Sequence, residues 1–277
     1  MPGRRNKGRH MERRVLLSIL VLLSALPLLA QDEAAEPAPS PTPSPVQWSL
    51  GLGVYSSPRP YVGAENSTIL GPVVELSYKK LYVQGIQAGY HFFDTERFSL
   101  DARAGIVFNA LDPEDSDFLE GMNKRRPSIE GGFVFAWKPG KYRLSTAAYT
   151  DLLGRSYGQQ ASTDFSRTWT FNRYQWGFTP SIGVVWQSSN FIDYYYGVTP
   201  EEARPGRPPF RGQSVINFRS SLFAFFFVNM RVRLAGYIRI QRLDNEILDS
   251  PIVDQKRGIF GLLGITYRFG VLPPRPS

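Results

Sequence analysis

The chain has 277 residues, 42% hydrophobic and 14% aromatic, with a formal net charge of +8 and no cysteine. The missing cysteine excludes disulfides, thiolate metal sites and a cysteine-borne lipid anchor. The positive charge is not a nucleic-acid footprint. Residues 1–30 hold +5 of it, residues 31–45 carry −3, and the later arginines alternate along strands instead of forming one stripe.

Residues 1–14 are basic, through Arg4, Arg5, Lys7, Arg9, Arg13 and Arg14, and Val15 to Leu29 is an apolar run followed by polar residues from Gln31. That is the three-part pattern of a secretory signal peptide over 1–30, of the Sec type, with cleavage expected after Ala30. The apolar run is shorter than the ~20 residues a spanning helix needs. In residues 37–45, PAPSPTPSP, proline stands at every second position. Such a composition favours an extended backbone and builds no core, so 31–45 reads as a periplasmic spacer.

From Val46 to Phe269 the chain reads as one all-β domain, with a tail over 270–277. Strands are expected near 47–55, 70–79, 98–109, 128–137, 142–151, 158–169, 175–187, 215–228, 231–241 and 258–269, and no stretch shows a helical apolar period. In Arg231–Gln241, Arg231, Arg233, Ala235, Tyr237, Arg239 and Gln241 alternate with Val232, Leu234, Gly236, Ile238 and Ile240. Successive side chains of a strand fall on opposite faces, so one face is wet and the other apolar. Two further strands begin and end their apolar face on aromatics: Phe98 and Phe108, and Trp176 and Trp186. Ten residues of strand at ~40° tilt project to ~25 Å, the height of the lipid-facing band of an outer-membrane barrel with its aromatic girdles. The fold expected is an antiparallel transmembrane β-barrel of the outer membrane, in contact with its lipid.

Connections at 138–141, 170–174 and 228–230 are short, whereas those at 110–127, 188–214 and 242–257 are long. Outer-membrane barrels have an even strand number, short periplasmic turns and long external loops. With both termini periplasmic, 81–93 must divide near Gly85 into two strands. The total is then about twelve, with ten as the fallback.

The wet faces carry Glu75, Asp101, Arg103, Glu130, Arg143, Asp151, Arg219, Arg231, Arg233, Arg239 and Arg268, which a barrel would turn into its lumen. There they either pair and fill a narrow interior or line a small anion-favouring channel. After signal removal His91 is the only histidine. It reads as a packing or interface residue rather than the base of a hydrolase, and no catalytic residue, cofactor or metal site is expected. The acidic loop Asp112–Glu120 reads as solvated. Gly264–Phe269, GITYRF, resembles the C-terminal signal read by the barrel-assembly machinery, although here Gly270–Ser277 follow the phenylalanine.

The loops carry a more specific resemblance. Asp193, Tyr194, Tyr195, Tyr196, Gly197 and Val198 are followed by Glu201-Glu202-Ala203, and later by Asp249, Ser250, Pro251, Ile252 and Val253. Tyr61-Val62-Gly63 stands near the N-terminus. This set, in this order, resembles the MipA/OmpV family of outer-membrane proteins. The resemblance implies a non-enzymatic barrel. One branch of that family is described as a scaffold linking a lytic transglycosylase to a murein synthase, and others as adhesins or osmotically regulated proteins. A scaffold or interaction protein of the envelope is therefore expected, with a narrow porin or uptake channel, or an adhesin, as the alternative. The three phenols at 194–196 either form a binding surface or fold the loop back onto the barrel rim. The orientation puts the motif loops outside, away from murein. Either the periplasmic turns and spacer bind partners, or the shared loops serve structure, or the orientation is inverted.

Overall fold

The computed structural model describes residues 46–57, 59–172 and 175–269. The expected signal peptide, spacer and C-terminal tail lie outside the described residues. The strands are β1 (Gln47–Ser57), β2 (Ser67–Tyr78), β3 (Leu81–Gln84), β4 (Gln87–Asp94), β5 (Phe98–Val107), β6 (Ser128–Trp137), β7 (Tyr142–Asp151), β8 (Gln159–Arg167), β9 (Trp169–Phe171), β10 (Trp176–Gln187), β11 (Val215–Phe227), β12 (Val232–Arg242) and β13 (Arg257–Phe269). Neighbours in sequence pair antiparallel, and β13 closes on β1 from Trp48↔Phe269 to Ser56↔Gly261. β8 and β9 both pair with β10 and form one wall strand, so the barrel has twelve.

The expected strand at 158–169 breaks at Thr168, which lies opposite Thr179 and beside Pro180. Proline has no N–H for the ladder, and pairing lapses there. The division of 81–93 falls at Gly85, whose φ of +60° makes the tight β3–β4 turn. Glycine reaches that conformation without steric cost.

Register determines which face is which. Opposite residues of an antiparallel pair share a face, and a slip by one residue would invert every side chain. Leu50, Leu52 and Val54 of β1 are exposed, as are Leu263, Ile265 and Tyr267 of β13, whereas Ser49 and Thr266 are buried. On these strands apolar side chains therefore face outward and polar ones inward, the reverse of a soluble sandwich and the arrangement of a membrane barrel. Short turns gather at one end and long connections at the other. The turn end is ringed by outward aromatics: Trp48 stacks on Phe269 at 4.0 Å, Phe171 on Trp176 at 4.1 Å, and Tyr142 on Phe165 at 5.4 Å. On β10, Trp176 and Trp186 both lie exposed at the two ends of the strand. On β5 the upper aromatic of the expected pair, Phe108, lies just beyond the strand.

Candidate functional site

The long connections fold into a lid with its own apolar core. α1 (Ser189–Tyr196) and α2 (Asn245–Leu248) lie in the connections after β10 and β12. Neither was visible as a helical period, because eight and four residues are too short to show one. Ser188 caps α1 by accepting the Phe191 N–H. Phe191, Ile192, Tyr195 and Tyr196 of α1 pack with Tyr61 from the β1–β2 connection, Leu111, Leu119 and Met122 from β5–β6, and Ile247, Ile252 and Val253 from β12–β13.

Most residues of the two loop motifs hold this lid together. The Asp193 carboxylate accepts the Gly212 N–H at 3.2 Å. The Tyr194 hydroxyl accepts the Arg126 N–H at 3.1 Å, and its carbonyl accepts Arg125 Nε at 2.7 Å. The Tyr195 carbonyl accepts the Tyr61 hydroxyl at 3.1 Å, and the Tyr196 carbonyl accepts the Ser250 hydroxyl at 2.6 Å. Gly197 donates to the Asp193 carbonyl, and a Cβ there would lie 2.3 Å from that oxygen. Val198 bridges to Phe210, and Tyr61 to Val253. Asp249 and Pro251 make no side-chain hydrogen bond among the described residues; their backbone forms the turn after α2. Tyr195 and Tyr196 are buried, so of the three phenols only Tyr194 is partly accessible. Burial raises the Tyr61 and Tyr195 phenols well above their ordinary value, and Tyr196 to about 12.

One ion pair clamps the lid across 77 residues of chain. Arg125 donates to Glu202 Oε1 at 3.0 Å and Oε2 at 2.9 Å, and its remaining N–H groups reach the Tyr194 and Asn123 carbonyls. Glu202, 2% exposed, also accepts the Asn123 and Thr199 N–H groups. Burial alone would raise its carboxyl; Arg125 and the two N–H groups outweigh that and hold it below the ordinary value. Buried Arg207 donates to the Phe118, Glu120 and Glu202 carbonyls. The acidic loop is not simply solvated, as its composition implied. Asp115 pairs with Arg59 at 2.7 Å, and Asp112 with Lys124.

Next to the lid a polar belt runs along the inner wall from β6 to β11. Gln160 donates to both Glu130 oxygens, Gln187 to Gln160, and Asn217 to Gln187, each within 2.8 Å, and the Asp244 N–H donates to Asn217. Asp151 accepts from Ser128, Leu153, Ser156 and Tyr157. Buried polar groups this fully partnered rigidify what they join. Lower in the lumen, Arg233 pairs with Glu75 although β13 and β1 lie between their strands, and Arg219 pairs with Asp164 across β10. Only inward side chains can meet in that way. Asp101 holds both His91 Nδ1, at 2.6 Å, and Arg103, and Tyr82 stacks on His91 at 4.5 Å. Among the described residues the hydrogen-bond partner of the His91 ring is Asp101. Arg239 lies over Phe260, and Arg268 over Phe227. Arg231, at the turn end, reaches the Arg268 carbonyl. Gln160, Gln187, Asn217 and Asp164 were missed as lumen residues. Their alternation on β8, β10 and β11 was the signal that could have found them.

A closed barrel with an apolar outside, a charged inside and a lid built from its loops is an outer-membrane β-barrel protein. The model of the family described as MltA-interacting protein MipA matches residues 50–269, and the chain belongs to that family. It is 26% identical to the putative outer membrane protein YiaT of Escherichia coli K12 over 90% of this chain and 98% of that one. It is 28% identical to the MltA-interacting protein of the same strain, over 80% and 90%. Outer membrane protein OmpV of Vibrio cholerae is 26% identical over 70% and 79%. Among solved structures, an outer membrane channel from Pseudomonas putida F1 has a TM-score of 0.44 at 9% identity, covering 86% of this chain and all of that one. The protein resides in the outer membrane of a Gram-negative bacterium.

Proposed function

We propose that this protein is a non-catalytic scaffold of the cell envelope, shut at its loop end, that presents its turn end to a murein-processing enzyme in the periplasm. The observation that carries this reading is the lid. Its motif residues bind one another, so the loops serve closure, and the partner surface lies elsewhere. The loop end faces outward by the usual rule for outer-membrane barrels. The opposite rim exposes Lys79, Lys80, Arg97 and Lys141 beside Glu96 and the Lys138–Asp94 pair, a net basic collar suited to an acidic partner surface. The name of the 28%-identical relative, MltA-interacting protein, supports a partner of that kind.

The test is photo-crosslinking in cells from an unnatural residue at Lys79 or Lys141, with Glu201 on the lid as the comparison. A lytic transglycosylase or murein synthase captured from the turn positions and not from Glu201 is the expected result. Capture only from Glu201, or of no murein enzyme at all, would overturn the reading.

A further inference from the structure

At the turn end the lumen holds a cavity of about 330 Å³, lined by Glu75, Asp101, Arg103, Arg143, Arg233 and Ser99 among others. That volume is at the small end of ligand pockets, which run from ~300 to 1,000 Å³. Most of its charges are occupied. Glu75 is held by Arg233, Asp101 by Arg103 and His91, and Asp94 by Lys138 from the rim. Three groups are left over. Among the described residues the Arg143 guanidinium has neither an ion pair nor a hydrogen bond, and it lines the cavity. Arg233 Nε is buried with no partner, and so is the hydroxyl of Ser99, a residue 3% exposed.

Buried polar atoms are nearly always hydrogen-bonded, and an orphan is costly. Here both orphans are sealed within the cavity wall, and the Arg143 guanidinium is the unpaired group that lines the cavity itself. Arg143 and Arg233 offer only N–H donors, and a serine hydroxyl can donate as well. The acids are already matched. The lining holds three carboxylates and three arginines, and Lys138 from the rim adds a fourth cation by pairing with Asp94, which leaves Arg143 without a carboxylate partner of its own. Such a set has no place for a cation. It suits an oxyanion with at least two acceptor oxygens.

We infer that this cavity is a binding site for a small oxyanion-bearing solute, a carboxylate or a phosphate monoester, with Arg143 as its anchor. The lid covers the far end of the barrel, so the site fills from the turn end. Its occupancy is independent of whether the barrel acts as a scaffold.

The experiment is isothermal titration of the refolded full-length barrel in detergent at low salt. The probes are N-acetylglycine for the carboxylate, methyl phosphate for the phosphate, and N-acetylglycinamide as the uncharged control. Saturable binding of at least one oxyanion, weakened by added chloride and absent for the amide, is expected. Arg143→Gln should weaken it at least tenfold, Arg143→Lys should retain part of it, and Ser99→Ala, whose hydroxyl is sealed in the wall, should leave it unchanged. A heat-modifiable gel band confirms that each variant is a folded barrel. The stronger of the two probes identifies the solute class. Failure of folded wild-type protein to bind either oxyanion, or equal binding by folded Arg143→Gln, would overturn the assignment.

Discussion

Arg125→Met should unlatch the lid while leaving the barrel intact. The substitution keeps most of the side-chain volume but removes four hydrogen bonds, two of them to Glu202. It strands a carboxylate that is 2% exposed, hydrogen-bonded only by the Asn123 and Thr199 N–H groups, with Arg207 on the Glu202 backbone carbonyl as the neighbouring cation. Removing one partner of a buried ion pair typically costs ~3–5 kcal/mol. The two surviving N–H contacts argue for the lower end. A cost of ~3 kcal/mol corresponds to roughly a hundredfold larger open fraction, at ~1.4 kcal/mol per factor of ten. Cleavage within 112–126 and 199–213 by an external protease reports that fraction, provided the lid recloses faster than it is cut. Cleavage of the variant on intact cells should accelerate by about that factor, with its heat-modifiable band unchanged. Arg125→Met combined with Glu202→Leu removes the stranded charge and should recover most of the protection. Unchanged cleavage in the single variant would refute the clamp, and a double variant as labile as the single would refute the stranded-charge argument.

The lid's stability should fall at both pH extremes. The folded-state value of Glu202 is depressed, so its contribution is present above the unfolded value of ~4.3 and is lost as pH falls through the lower folded value. Pepsin cleavage of the loops should rise steeply there, and Glu202→Gln should flatten the dependence. The buried phenols Tyr61, Tyr195 and Tyr196 have raised folded values, so their contribution is complete below ~10 and lost as pH rises above it. Tyr61→Phe removes the hydrogen bond to the Tyr195 carbonyl and should cost ~1 kcal/mol of lid stability, whereas Tyr195→Phe removes a buried hydroxyl that has no partner and should cost little or nothing. Urea dependence of protease cleavage separates the two. Gly132→Ala should reduce the yield of heat-modifiable barrel, since its Cβ would lie 1.8 Å from the Ala148 carbonyl oxygen, while Gly85→Asn, with open space around it, should assemble nearly normally.

The wall of the barrel was legible because its information is local. A period of two, read in β5, β10 and β12, needs no knowledge of what lies across the sheet, and an even strand count forced the hairpin at Gly85. The strand break at Thr168 was less accessible, since it depends on Pro180 in the neighbouring strand. The lid was hidden for a different reason. Its clamp joins Arg125 to Glu202, and its core joins Tyr61 to Tyr195 across 134 positions. No periodicity links such pairs. The DYYYGV and DSPIV segments stood out as motifs, and only the fold shows that Tyr195, Tyr196 and Ser250 face each other's loops. In the lumen, alternation identified inward charges, but not that Arg233 would meet Glu75 or that Arg143 would be left without a partner.

The most direct test of the closed barrel is single-channel recording in planar bilayers, wild type beside Arg125→Met. A lid latched by Arg125 and Glu202 predicts a silent wild type and intermittent openings in the variant. A steady conductance through the wild type would contradict it, and would make the loop motifs the lining of a pore.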